Sequence, residues 1–217
     1  MPRETCYRCL RPKALCYCPV EPPMDTRTRF VLLMHLNEYK HQKSTTGRLL
    51  CLHLSNSEII PGLGFDDVPR VRALIDDPGN YPVLLYPGAG AIRLDDLTPA
   101  DLGQRRLVVF LLDATWACAR KSFRDSPGLR GLPRLMITPR SRSRFVIKKQ
   151  PHEWCLSTLE ATHELLLDLD NAGLDRYPDT ERLLRAFEAM QKVQIEWAAR
   201  AANPRRLQRN RVEEEDH

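Results

Sequence analysis

Four of the seven cysteines in this 217-residue sequence lie within its first 18 residues. They form a CxxC pair followed by a CxC pair, at Cys6, Cys9, Cys16 and Cys18. Zn²⁺ prefers four soft thiolate ligands in a closed tetrahedral shell, which leaves no position for a reactive water molecule. The spacing therefore predicts a structural zinc site, and the scattered remaining cysteines are a poor disulfide framework.

Asp113-Ala114-Thr115-Trp116 directly follows an uninterrupted apolar stretch at residues 107–112. If that stretch is a buried parallel strand, Asp113 lies at its carboxyl end, where open α/β sheets bind their ligands. Asp113 is therefore a candidate catalytic residue. The residues alone slightly favour a structural interpretation, in which Asp113 or Thr115 caps the following helix and Trp116 packs in the core.

Ser157-Thr158-Leu159-Glu160 is a capping box, which predicts a helix beginning at Thr158. A structural role is sufficient to explain these residues. The free backbone N–H groups at such a helix start are also donors for a ligand carboxylate, or for the ribose and adenine edges of a nucleoside. The sequence contains neither a Rossmann glycine fingerprint nor a P-loop, so no dinucleotide or P-loop nucleotide site is indicated.

Ionisable side chains also cluster after an earlier apolar stretch, at His35, Glu38 and His41. Ser44 or Thr45 could cap the next helix, which would make the cluster a plain loop. Two histidines and a glutamate are equally the ligands of a second metal site. The sequence leaves both interpretations open.

The positive charge of the chain is concentrated in one segment. Residues 120–149 contain ten basic residues and one acidic residue, a balance of +9 in a chain whose net charge is +5. Such a one-sided distribution favours a surface for a polyanion such as RNA over an ordinary solvated face. Trp116 and Phe145 are the nearest side chains that could stack on an unpaired base.

Apolar stretches alternate with amphipathic ones along the rest of the chain. Strands are predicted at residues 30–35, 58–60, 83–86, 107–112, 134–137 and 144–147. Helices are predicted at residues 45–54, 68–75, 116–123, 158–169 and 179–201. Near-continuous apolar strands between amphipathic helices favour an α/β fold with a mainly parallel sheet and helices on both faces.

Length and composition predict one α/β domain with a small appendage. The divisions are a zinc unit at residues 1–23, a catalytic domain at 24–202 and a charged, frayed tail at 203–217. The first residues lack the apolar centre of a signal peptide, and no apolar run is long enough to cross a bilayer. We therefore expect a cytoplasmic protein that does not bind membranes.

Several motifs, taken in order, resemble those of the DTW-domain proteins. They are the four cysteines, Thr46-Gly47-Arg48, Tyr86-Pro87, Asp113-x-Thr115-Trp116 with Ala119-Arg120-Lys121, Ser126-Pro127, Leu132-Pro133, and Leu156-Ser157-Thr158-x-Glu160-Ala161. The resemblance covers nearly the whole chain. One departure is Thr45, which stands where the family pattern leads us to expect Asn.

The resemblance implies a tRNA-uridine aminocarboxypropyltransferase. Such an enzyme moves the 3-amino-3-carboxypropyl group of S-adenosylmethionine to N3 of a tRNA uridine (acp3U) and releases methylthioadenosine. It also implies a SPOUT-like fold with a trefoil knot, although knots are rare among proteins in general.

The same resemblance assigns residues to the site. Asp113 would be the catalytic carboxylate near uridine N3. The cofactor would be lined by Tyr86, Pro87, Leu112, Asp113, Thr115, Leu156, Ser157, Thr158 and Glu160. Residues expected to contact the RNA are Lys43, Arg48, Trp116, Arg120, Lys121, Arg124, Arg140, Arg142 and Arg144.

Two other functions remain open at the level of the sequence. One is a SPOUT-type RNA methyltransferase that uses the same cofactor, and the other is a non-catalytic, zinc-containing module that only binds RNA. The by-product separates the two enzymes, because methyl transfer releases S-adenosylhomocysteine. No feature of the sequence indicates an obligatory protein partner.

Overall fold

The computed structural model describes residues 4–42, 44–148, 151–152 and 154–200. Lys43, which is predicted to contact RNA, lies outside the described residues. The same is true of Lys149 in the basic segment and of the tail at 203–217.

A parallel sheet of six strands forms the centre of the described fold. In chain order the strands are β1 (Arg29–His35), β2 (Ser57–Gly62), β3 (Asn80–Leu85), β4 (Ile92–Arg93), β5 (Arg106–Asp113) and β6 (Arg134–Met136). Their spatial order is β2-β1-β5-β3-β6-β4, and every neighbouring pair is parallel. This confirms the α/β fold with a parallel sheet that the sequence predicts.

Helices connect the strands and cover both faces of the sheet. They are α1 (Leu36–His41), α2 (Thr46–His53), α3 (Pro69–Asp76), α4 (Pro99–Leu102), α5 (Trp116–Arg124), α6 (Pro127–Arg130), α7 (Thr158–Asn171) and α8 (Arg182–Arg200). One core contains side chains of α2, α7 and α8, and the other contains side chains of α3 and α6. None of the described helices combines the length and apolar character needed to cross a membrane.

Strand β5 explains why the longest apolar run in the sequence shows no alternation. It lies between β1 and β3, and successive side chains point to opposite faces. Val109 and Leu111 belong to one core, whereas Val108 and Phe110 belong to the other. Because both faces are covered, each position favours an apolar residue until Asp113 ends the strand.

The strand predicted at residues 144–147 is wrong, because this segment is a loop held by distant side chains. The backbone N–H of Arg144 donates to Glu160 Oε1 at 2.6 Å, and that of Val146 donates to Gln191 Oε1 at 2.8 Å. Gln191 Nε2 also donates to the Arg144 carbonyl at 3.0 Å. These partners come from α7 and α8, so no local pattern could reveal them. Helices α1, α4 and α6 and the short strand β4 were not predicted.

Asp175, in the connection between α7 and α8, anchors the chain that leads into β1. Its carboxylate is 3% exposed and accepts hydrogen bonds from the backbone N–H groups of Arg27 and Thr28, both at 2.8 Å. It also accepts one from the backbone N–H of Arg176 at 2.7 Å. The start of β1 is thereby fixed to the far end of α7.

We expect Asp175→Ala to lower the free energy of unfolding by about 2 to 4 kcal/mol, since it leaves buried N–H donors without acceptors. Urea denaturation measures this change. Asp67→Ala is the matched control, because the Asp67 side chain is 98% exposed and should change stability by less than about 0.5 kcal/mol. Equal effects of the two substitutions would contradict the anchoring role.

Candidate active site

A cleft of about 880 Å³ opens at the carboxyl ends of β3, β5 and β6, beside the loop that follows α1. Its floor and walls are mainly apolar, with contributions from Leu85, Leu111, Leu135, Ile137 and Leu156. This volume lies in the usual range for small-molecule sites, and the carboxyl ends of parallel strands are where such sites occur.

The structure brings most of the predicted cofactor residues to this one cleft. They are Tyr86, Pro87, Leu112, Asp113, Thr115, Leu156, Ser157 and Thr158, and Trp116 lies beside them. Residues from the ends of β3 and β5 and from the start of α7 therefore share one cavity. Tyr86 is further held by stacking on Phe123 of α5, with ring centroids 4.4 Å apart.

Glu160 is the predicted cofactor residue that the structure does not place among those lining the cleft. It is 4% exposed, and its carboxylate accepts hydrogen bonds from the backbone N–H groups of Ser157 (2.9 Å) and Arg144 (2.6 Å). Ser143 Oγ donates to it as well, at 2.8 Å. The predicted capping box is present, and Glu160 ties the loop at 143–144 to the start of α7.

Asp113 is the last residue of β5 and is 3% exposed. Thr115, and not Asp113, caps α5, since Thr115 Oγ1 accepts a hydrogen bond from the backbone N–H of Cys118 at 3.4 Å. Asp113 Oδ1 accepts a hydrogen bond from Thr158 Oγ1 at 2.6 Å. Asp113 Oδ2 is buried and has no hydrogen-bond partner among the described residues.

The first turn of α2 packs directly against Asp113. A Cβ atom built at Gly47 would lie 2.1 Å from Asp113 Oδ2 and 2.8 Å from Leu32 Cδ2, distances at which real atoms clash. Only glycine permits this approach. Thr45, the departure from the family pattern, caps α2 by accepting a hydrogen bond from the backbone N–H of Arg48 at 3.2 Å, so the hydroxyl performs the capping that an Asn would.

Burial raises the pKa of Asp113 from its ordinary value of 3.8 to about 6, and the negative charge of Glu38 adds to the rise. The hydrogen bond from Thr158 and the positive charges of Lys148 and Arg48 oppose it. A carboxyl group with a pKa near 6 is ionised at neutral pH but accepts a proton more readily than an exposed aspartate.

Glu38 is a second buried carboxyl group that lines the cleft. His35 caps α1 through a hydrogen bond from the backbone N–H of Asn37 to His35 Nδ1, at 3.3 Å. Within the described part of the chain, the four N-terminal cysteines alone bring three or more metal-ligating side chains together. The second metal site considered for His35, Glu38 and His41 is therefore not formed.

The basic segment is less uniformly positive in three dimensions than in sequence. Arg140 pairs with Glu164 at 2.6 Å and also with Asp168, and Arg144 pairs with Glu188 at 3.2 Å. These acidic partners come from α7 and α8, outside the segment, and they compensate part of its charge.

Of the other arginines and lysines predicted to contact RNA, those on α5 and the loop after β6 are exposed, whereas Arg48 is engaged within the protein. Arg120, Lys121 and Arg124 are exposed on α5, where Lys121 and Arg124 also pair with Asp125. Arg142 is exposed on the loop after β6. Arg48 instead binds its own loop, since its Nη2 donates to the Tyr39 carbonyl at 2.7 Å.

The four N-terminal cysteines form one cluster whose sulfur atoms all lie within 4.8 Å of one another. The Sγ atoms of Cys6 and Cys18 are 3.7 Å apart, and those of Cys9 and Cys16 are 3.8 Å apart. The turn after the CxxC pair closes through Leu10, whose φ is +57° and whose N–H donates to the Cys6 carbonyl at 2.8 Å. This cluster could hold a metal ion.

The DTW domain family matches residues 3–195 of the chain. The chain belongs to the DTW domain family. In this DTW-domain protein each letter of the motif has its own place: the aspartate is buried at the end of β5, the threonine caps α5, and the tryptophan lines the cleft.

Curated relatives cover most of this DTW-domain protein. The tRNA-uridine aminocarboxypropyltransferase 2 of Drosophila melanogaster is 28% identical over 201 residues, which are 89% of this chain and 76% of the relative. The mouse protein of the same name is 28% identical over 91% of this chain and 65% of its own length. The tRNA-uridine aminocarboxypropyltransferase A of Arabidopsis thaliana is 24% identical, over 93% and 83%. The chain thus spans less than two thirds of the mouse relative. No solved structure matches it significantly.

We expect the Asp113→Asn variant of this DTW-domain protein to gain stability over the wild type as the pH rises from 4 to 7. The raised pKa means that folding favours the protonated acid, so Asp113 destabilises the fold increasingly as the pH rises from about 4, where the unfolded chain ionises, and the effect levels off above about 6. The difference in unfolding free energy should grow by up to about 3 kcal/mol, because one pKa unit corresponds to about 1.4 kcal/mol.

Urea denaturation at several pH values measures this difference, and Asp67→Asn, at an exposed site, should give a difference that stays flat. A difference between Asp113→Asn and wild type that is independent of pH would show that Asp113 titrates normally.

Proposed function

We propose that this chain transfers the 3-amino-3-carboxypropyl group of S-adenosylmethionine to N3 of a tRNA uridine. The observation that carries the proposal is the buried DTW aspartate, one oxygen of which has no partner among the described residues, at a cleft of about 880 Å³ in a chain related to curated tRNA-uridine aminocarboxypropyltransferases. In this reaction N3 bonds to the γ-carbon of the amino acid chain, the bond between that carbon and the sulfonium sulfur breaks, the N3 proton is lost, and methylthioadenosine leaves with the sulfur.

The chemistry of the cleft suits S-adenosylmethionine. Apolar side chains of Leu112 and Leu156, with Tyr86 and Pro87, offer walls for a planar base. Backbone N–H groups in the first turn of α7 that the capping box does not engage are donors for carboxylate or ribose oxygens. Two buried carboxyl groups in a largely apolar cavity favour a ligand with positive charge, which this sulfonium carries.

We assign Asp113 as the group that accepts the uridine N3 proton or orients that N–H. Its Oδ2 has no partner among the described residues and is the available acceptor, and its Oδ1 is held by Thr158, which restricts rotation of the carboxylate. Burial in a cleft strengthens such an interaction, and the raised pKa matches the acceptor to neutral pH. Glu160 then acts at one remove, by fixing the start of α7 and hence Thr158.

We further propose that the cysteine cluster binds zinc. In a tetrahedral Cys₄ site with Zn–S bonds of about 2.3 Å, sulfur atoms lie about 3.8 Å apart. The distances of 3.7 and 3.8 Å between the paired sulfur atoms agree with that value. Arg182 of α8 donates to the Pro22 carbonyl at 2.6 Å, which secures the zinc unit at 1–23 against the catalytic domain at 24–202.

The same proposal includes a SPOUT-like fold with a trefoil knot. It also includes a cytosolic location. A parallel sheet with the cleft at the carboxyl ends of its strands supports the SPOUT-like fold. A cluster of four reduced cysteines suits the reducing cytosol. The exposed arginines and lysine of α5, with Arg142, supply the surface for tRNA phosphates.

Asp113→Asn should lower the rate of tRNA modification by about 100- to 10,000-fold, the usual contribution of a positioned proton acceptor, with tRNA binding nearly intact. Mass spectrometry of tRNA after reaction with S-adenosylmethionine identifies the added group and its position. Asp67→Asn serves as the control with unchanged turnover, since it lies outside the cleft.

The by-product decides between the candidate functions. Methylthioadenosine is expected from the wild-type protein. S-adenosylhomocysteine would instead establish the methyltransferase, and tRNA binding with neither product would leave the non-catalytic RNA-binding module. Unchanged turnover in Asp113→Asn would remove this residue from the mechanism.

Arg120→Glu should weaken tRNA binding and reduce its salt dependence, because each phosphate contact contributes a slope of about 0.7 to 0.9 in log Kd against log salt concentration. Arg106→Glu is the matched control. Arg106 is exposed at the amino-terminal end of β5, whereas the cleft lies at the carboxyl end of that strand. Fluorescence anisotropy with labelled tRNA at several salt concentrations measures both variants, and equal slopes would exclude α5 from the interface.

A further inference from the structure

Glu38 is a buried carboxyl group that the fold satisfies only in part: the backbone of Thr115 contacts it, but one of its oxygens has no partner among the described residues. It lies on the short helix α1, outside the Asp-Thr-Trp motif, and is 8% exposed. It lines the same cleft as Asp113, and its Oε1 has no hydrogen-bond partner among the described residues. His35, and not Glu38, caps α1. An unpartnered buried carboxylate oxygen is costly unless a ligand satisfies it.

The surroundings of Glu38 favour a cationic partner. The negative charge of Glu38 raises the pKa of Asp113, and burial raises the pKa of Glu38 itself. The charge of Lys148 and the backbone of Thr115 oppose the rise at Glu38. A positively charged ligand group between the cleft walls would relieve both the desolvation and the repulsion.

The two carboxyl groups are not equivalent. Asp113 has one oxygen engaged by Thr158, and the other lies against Gly47, where even a methyl group has no room. It therefore suits a flat N–H donor that approaches from one direction. Glu38 is slightly more exposed and belongs to a helix of six residues, which suits a bulkier ammonium group with three N–H donors.

We propose that Glu38 binds the α-ammonium group of the amino acid chain of S-adenosylmethionine and so determines which carbon meets the uridine. This inference rests on the proposed function. The sulfonium carries three carbon substituents, and the group that is transferred is the one presented to N3. An acceptor that holds the far end of the amino acid chain fixes that chain's direction, and with it the position of the γ-carbon.

The test compares S-adenosylmethionine with its analogue that lacks the α-amino group, by isothermal titration calorimetry on the full chain. A hydrogen bond to a charged group contributes about 1.5 to 3 kcal/mol, or about 10- to 150-fold in affinity. The wild-type protein should prefer S-adenosylmethionine by about that factor. Glu38→Gln should abolish the preference and bind the analogue as tightly as the wild type does.

Two control variants accompany this comparison. Glu181→Gln, at an exposed position outside the cleft, should keep the full preference. Asp113→Asn should also keep it, although this variant loses turnover. Loss of the preference in Asp113→Asn but not in Glu38→Gln would show that Asp113, and not Glu38, binds the ammonium group, and would overturn the inference.

Other outcomes are equally decisive. If Glu38→Gln lowered the affinity for both ligands by the same factor, the role of Glu38 would be merely structural and the inference would be overturned. Equal affinity of the wild-type protein for both ligands, a result that requires no variant, would also overturn it. If the wild-type protein binds no S-adenosylmethionine at all, the proposed function fails; if it binds and forms acp3U while Glu38→Gln retains the preference, only the role of Glu38 fails.

Discussion

The Asp113 carboxyl group is buried where three elements meet: the end of β5, the first turn of α2 and the first turn of α7. Gly47 leaves room for it, and Thr158 donates to one of its oxygens. Burial of a carboxylate opposes folding, so this arrangement persists because the surrounding sheet and helices determine it from several sides. The geometry of the cleft depends on this meeting point, since all three elements also contribute its walls.

Several other features serve to hold that meeting point in place. Glu160 fixes the start of α7 and the loop at 143–144, and Gln191 fixes the same loop from α8. Asp175 secures the entrance to β1, the strand beside β5. These are buried polar groups with satisfied hydrogen bonds, which position backbone segments that have no regular secondary structure of their own. Polar groups that hold the cleft in place thus have hydrogen-bond partners, whereas Asp113 and Glu38 in the cleft each have an oxygen without a partner among the described residues.

Charge is distributed according to the same division. Acidic groups inside the cleft face a space that suits a cationic ligand, whereas α5, which contributes Trp116 and Ala119 to the cleft, carries exposed basic side chains. Arg140 and Arg144 contribute less to the positive surface, because they form ion pairs with acidic residues of α7 and α8. The net charge of a sequence segment therefore overestimates the positive surface that it presents. A nucleic acid would meet a smaller and more localised basic region than the segment at 120–149 suggests.

The sequence by itself determined the elements with local signals: the parallel sheet from its unbroken apolar runs, α7 from its capping box, and the cysteine cluster from its spacing. It also singled out Asp113, since a carboxylate that ends a fully buried strand is chemically conspicuous. Only the tertiary structure decided that Glu38 shares the cleft, that Glu160 supports it from behind, and that residues 144–147 form a loop. The reason is physical: secondary structure follows from periodic burial and local capping, whereas pairing, desolvation and side-chain anchoring depend on partners distant in the chain.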